Sequence, residues 1–156
     1  MPQRDNEKQT LTLSNKEFIP HIIGLLEKGH TVKLLLRGYS MRPFLENNRD
    51  AALLTKATRI RKGDPVLAET EPGHYVLHRI IKITGNQIIM RGDGNLRCEV
   101  CTVNDIRANI IGFYRKGRTT LDPIDGWKWR TYSWIWTHLY PIRRYLLWIY
   151  RTVNRK

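Results

Sequence analysis

Hydrophobic positions along this chain follow two periods. Phe18, Ile19, Ile22, Ile23 and Leu26 recur at helical spacing and predict a helix that opens near Ser14 and stops at Gly29. Ser14 followed by Glu17 is a capping-box pattern, and Pro20 is tolerable when the helix begins close to it. From Val32 the period changes. Val32–Leu36, Ala51–Leu54, Val66–Ala68, Tyr75–Ile83, Gln87–Met90 and Ile110–Tyr114 are short apolar or alternating runs that read as strands. Turn signals separate several of them, among them Lys62-Gly63-Asp64-Pro65, Glu71-Pro72-Gly73, Gly85-Asn86 and Arg91-Gly92-Asp93-Gly94-Asn95. The pattern predicts a mainly β, mostly antiparallel unit over residues 31–115, behind a short N-terminal helix.

Helical spacing returns near the C-terminal end. Ile142, Tyr145, Leu146, Ile149 and Val153 follow it, with Arg143, Arg144, Arg151, Arg155 and Lys156 available for a polar face. Pro141 divides the stretch, and all five tryptophans lie from Trp127 onward. The expected organisation is a flexible tail over residues 1–13, a β domain over 14–117, and a basic, tryptophan-rich amphipathic helical tail over 118–156.

Composition narrows the partners. A chain of 156 residues is long enough for one domain with a core, and a hydrophobic fraction of 41% argues against disorder. The net charge of +13 implies attraction to phospholipid headgroups or nucleic acid. Aromatics beside arginines suit the headgroup region of a bilayer, so residues 127–156 are the candidate contact with an anionic membrane surface. Their charges exclude an ordinary spanning helix. The alternative is an appendage that packs its aromatics on the β unit or on a partner protein. Nucleic acid is the residual reading, because no helix-turn-helix, zinc finger or RNA-binding signature is present. Residues 1–15 are polar and hold no apolar h-region, so neither a signal peptide nor an N-terminal membrane anchor is expected, and a cytoplasmic or peripheral membrane location follows.

Cys98 and Cys101 are spaced C-x-x-C, but no second Cys/His pair accompanies them, so a zinc site is not expected. No βαβ pattern surrounds them, which also weakens a redox role. No metal or organic cofactor is expected. His21 and His30 read as surface or satisfied histidines.

One stretch stands out chemically. Gly38-Tyr39-Ser40-Met41-Arg42-Pro43-Phe44-Leu45 leaves a predicted strand, and Gly38 and Pro43 shape it sharply. That placement exposes the Ser40 hydroxyl where adjacent N–H groups converge on an oxyanion. Ser40, His78 and Asp93 lie in polar positions that the fold could bring together. A serine needs a base, histidine titrates near neutrality, and a carboxylate orients the imidazole. The plainer readings are a turn serine, a solvent-facing strand histidine and a turn aspartate.

Four blocks occur in order: Gly38 to Leu45; Lys62-Gly63-Asp64-Pro65-Val66-Leu67; Val76-Leu77-His78-Arg79-Ile80-Ile81; and Arg91-Gly92-Asp93-Gly94-Asn95. Together they resemble the signal peptidase I family and its relatives in the LexA-like peptidase superfamily, over about Val32 to Tyr114. The resemblance implies a LexA/signal-peptidase-like antiparallel β domain. It implies Ser40 as nucleophile, with His78 in the general-base position where the common bacterial type has lysine. Leu77-His78-Arg79 resembles the Ser-His subtype. Asp93 matches the family's Gly-Asp-Asn block, with Gly94 intervening before Asn95. In the Ser-His subtype a later acidic residue can be the third member, and Glu99 stands in that place. The acid is therefore taken as Asp93, with Glu99 as the alternative. Lys82 is displaced from the base position and ranks below His78.

The expected activity is hydrolysis of a peptide bond in a precursor protein or peptide through an acyl-enzyme. Ser40 and its neighbours Met41 and Pro43 would hold the oxyanion and position the substrate. The other classes are an inactive peptide- or membrane-binding scaffold on the same fold, and a basic nucleic-acid-binding protein.

Overall fold

The computed structural model describes residues 15–155, so the expected tail over residues 1–13 and the Ser14 cap lie outside the described residues. Helix α1 runs Asn15–Glu27 and buries Ile19, Ile22 and Leu26. Each such side chain contributes about 1.5–3 kcal/mol when withdrawn from water. Pro20 faces solvent within α1, and His21 and His30 are exposed. Gly29, at φ 86°, ends the helix: its N–H donates to Leu26 O at 3.0 Å, and the His30 N–H to Leu25 O at 3.1 Å.

Eight strands follow, all antiparallel: β1 Val32–Leu35, β2 Ala51–Lys56, β3 Pro65–Glu71, β4 His74–Thr84, β5 Gln87–Arg91, β6 Glu99–Thr102, β7 Ile106–Tyr114 and β8 Leu121–Pro123. Their order in the sheet is β1-β2-β7-β3-β4-β5-β6, and β8 pairs with β7. The first half of β7 pairs with β3 and its end with β8, while β2 follows its other side.

The sheet has a buried cluster on each face. One joins α1 to Leu54, Leu67, Phe113 and Phe44, with Tyr75 and Leu77 against it. The other holds Val66, Ile80, Ile88, Met90 and Cys101, with Val76 against it. Strand alternation accounts for this division, since odd and even residues of β4 point to opposite faces.

Two strands were not predicted. β6 has only four residues, includes Glu99 and Thr102, and directly follows a polar loop, so it offers little periodicity. β8 is a three-residue strand that carries the sheet past the expected domain boundary at 117/118.

The C-terminal segment forms α2 Trp127–His138, a 3-10 turn over Tyr140–Ile142 and α3 Arg143–Val153. It is not uniformly an appendage. Trp129 is buried in the same cluster as α1, 4.7 Å from Phe44 and 5.1 Å from Phe113 between ring centroids. Trp136 is buried as well, whereas Trp127, Trp134 and Trp148 are exposed. No described helix is long and apolar enough to cross a membrane.

Candidate active site

The segment from Leu36 to Asp50 is a compact turn. The Gly38 N–H donates to Asn47 Oδ1 at 2.8 Å, with Gly38 at φ 96°, a conformation that side chains disfavour. The Asp50 carboxylate, fully buried, accepts from the N–H groups of Glu46 and Lys116, each at 2.8 Å, and from Arg49. Burial acts to raise its pKa, but these donors prevail and hold it below the usual carboxylate value. Phe44 and Leu45 anchor the turn in the core, and Met41 is buried beside them. Ser40 remains half-buried at the turn's surface.

The loop after β5 lies directly over Ser40. The Gly94 N–H donates to Ser40 O at 2.7 Å. A Cβ on Gly92 would stand 2.4 Å from Ser40 O and 3.0 Å from His78 Nε2, and one on Gly94 would stand 2.7 Å from Tyr39 O. Both glycines are therefore required by close backbone approach. The same geometry brings the Nε2 edge of His78 against the Ser40 segment.

His78 is buried on β4, opposite Val66 of β3. Its Nδ1 lies 2.9 Å from Glu99 Oε2 at the start of β6. The approach is close but not well aligned, since neither atom has a hydrogen-bond partner of good angle. Burial lowers the His78 pKa, and the Glu99 charge opposes that only in part. A neutral imidazole with its Nδ1 proton toward Glu99 leaves the Nε2 lone pair free to accept a proton.

Asp93 is engaged elsewhere. It accepts from Arg79 Nε at 2.8 Å and Nη2 at 2.7 Å, and from the Tyr132 hydroxyl at 2.8 Å. Its carbonyl accepts from Trp136 Nε1 at 3.0 Å. Arg79 also donates to Gly63 O and Ser133 Oγ and lies 4.6 Å over the Trp129 ring. Parity explains the division. Arg79 shares its face of β4 with Tyr75 and Leu77, toward α2, whereas His78 shares its face with Val76 and Ile80, toward Cys101 of β6. Glu99 and Cys101 are two residues apart on β6 and share a face, which aims Glu99 at His78.

Ser40, His78 and Glu99 line one cavity of about 280 Å³, together with Leu36, Glu46 and Asn95. Asp93 and Lys82 are not in its wall, and Lys82 is exposed. Of the residues expected to hold the oxyanion, Ser40 and Met41 have N–H groups and line the cavity, but Pro43 has no N–H and is not in its wall. Asn95 carries a side-chain amide into the same wall, a feature that its position in a glycine-rich turn did not signal. Cys101 is buried and its thiol is pushed up to about 11 by burial, so it is not poised as a nucleophile. Among the described residues, no group of three His, Cys, Asp or Glu side chains is placed to hold a metal ion.

Compared with known proteins, the chain matches no family model and no curated protein.

Proposed function

We propose that the chain is a serine peptidase in which Ser40 is the nucleophile, His78 the general base and Glu99 the group that orients His78. The observation that carries this reading is the shared cavity of Ser40, His78 and Glu99, with Glu99 on Nδ1 of the imidazole and Nε2 turned toward the Ser40 segment. The ordered resemblance of four sequence blocks to the signal peptidase I family supports the same chemistry.

The Ser40 Oγ attacks the scissile carbonyl and its proton passes to His78 Nε2. The oxyanion of the tetrahedral adduct is met by N–H groups at Ser40 and Met41. Collapse breaks the C–N bond, the His78 proton goes to the departing amine, and an ester to Ser40 remains. Water then attacks the ester, gives its proton to His78, and the regained Ser40 hydroxyl takes that proton back as the acid product leaves.

The substrate class is an extended segment of a precursor protein or peptide. A second cavity of about 280 Å³, lined by residues of β1 and by Tyr75 and Leu77, adjoins the first. The two share Leu36, Arg37, Tyr75 and Leu77, so they lie side by side, one beside β1 and the other at Ser40. β1 is an edge strand with unpaired backbone groups, which suits binding of an extended chain.

The test is cleavage of a library of peptides with small residues before the scissile bond, by the parent and by Ser40→Ala and His78→Ala variants. Turnover by the parent alone supports the reading. Peptide binding by all three without turnover would replace it with a scaffold on the same fold.

A further inference from the structure

Helix α3 buries a mixed side and exposes an apolar stripe. Its inward side holds Arg143, Leu147 and Tyr150: Arg143 is buried and donates to Trp136 O at 2.7 Å, and the Tyr150 hydroxyl donates to Glu46 at 3.2 Å. Arg151, from the same side, donates to Gly94 O at 3.3 Å. Its outward side carries Tyr145, Trp148, Ile149 and Val153, every one at least half exposed, and Ile142 just before the helix continues the stripe. On α2, Trp127 and Trp134 are also exposed, by 74% and 64%. Water-soluble helices bury this kind of stripe, so the exposed face has an occupant.

Charge identifies the occupant. From Gly126 to Lys156 there is no aspartate or glutamate, while Lys128, Arg130, Arg144 and Arg155 lie there with exposed side chains. A second copy of this face would bring like charges together. Nucleic acid would satisfy the charges but would leave the aliphatic Ile142, Ile149 and Val153 unburied. A bilayer interface with anionic headgroups takes both: the aliphatic and indole groups enter the acyl boundary and the basic rim meets phosphate.

We propose that the outward face of α3, with Trp127 and Trp134 of α2, docks the protein on an anionic bilayer surface. The inference does not depend on the peptidase reading. The inward side of the same helix holds Glu46 and Gly94, which flank Ser40, so docking sets the candidate site beside the lipid surface.

The test uses the full chain and phosphatidylcholine vesicles with and without phosphatidylglycerol. Binding is read by co-sedimentation and by quenching of tryptophan emission with brominated lipids. The expected result is binding that needs phosphatidylglycerol, quenching in the parent, and an affinity lower by about tenfold or more in a Trp148→Ser/Ile149→Ser variant. Those side chains are exposed, so a thermal melt equal to the parent's verifies that the variant is folded. Absence of vesicle binding, or binding unchanged in the folded variant, overturns the proposal. Concentration-dependent dimerisation that the same variant abolishes, without vesicle binding, also overturns it and assigns the face to a second copy.

Discussion

His78 Nδ1 and Glu99 Oε2 stand 2.9 Å apart, between a long central strand and a four-residue edge strand. The contact has a signed consequence. Burial lowers the His78 pKa, and the charge of Glu99 opposes that effect. A general base acts when neutral, so activity should rise with pH through a value below the ordinary histidine value of about 6.5. Glu99→Gln removes the opposing charge. Its acid limb should move to still lower pH, and turnover should fall by about 10²- to 10⁴-fold. A pH profile of kcat/KM for parent and variant measures both effects.

The same depressed pKa couples to stability. Between the unfolded histidine value of about 6.5 and the lower folded value, the unfolded chain binds a proton that the folded chain refuses. His78 therefore contributes stability fully above about pH 6.5, and that contribution is lost as pH falls toward the folded pKa. Denaturant melts across this range should show the slope in the parent and a shallower one in His78→Gln.

Asp93→Asn should act differently from Glu99→Gln. It breaks the buried pair with Arg79 and weakens the acceptor for Tyr132, so a loss of about 3–5 kcal/mol of stability is expected. Tyr132→Phe removes one hydrogen bond to a carboxylate and should cost about 1.5–3 kcal/mol. In both, the acid limb of any remaining activity should shift less than in Glu99→Gln. Chemical denaturation and pH profiles on the same samples separate the two roles.

Gly92→Ala places a methyl group 2.4 Å from Ser40 O, a backbone atom that cannot swing aside. The loop and the Ser40 turn must separate, with an expected loss of about 1–3 kcal/mol and of most activity. Gly85→Ala, where a Cβ meets nothing within 4 Å, is the control for added bulk, although its φ of 57° carries its own modest strain. Melts of the two variants give the comparison.

Much of the β unit was legible because its strands are apolar and bounded by Gly, Pro and Asn. Helices α1 and α3 were legible from spacing; α2 was not, because its apolar residues gather only weakly on one face. β6 was not, because Glu99 to Thr102 has one exposed valine and little alternation, and with β6 went the means to choose between the two acids. Asp93 and Glu99 are both near His78 in sequence order. Only the parity of β4 and β6 assigns one to Arg79 and the other to His78. The outward stripe of α3 was legible as periodic, but periodicity does not reveal which face looks inward; the burial of Arg143 does.

Reaction with a serine-directed fluorophosphonate, followed by intact mass and peptide mapping, tests whether Ser40 is the nucleophile. The expected result is one adduct, on Ser40, formed faster as His78 loses its proton and absent in folded Ser40→Ala and His78→Ala. Equal labelling of the parent and the two variants, or an adduct mapped to another residue, would contradict it.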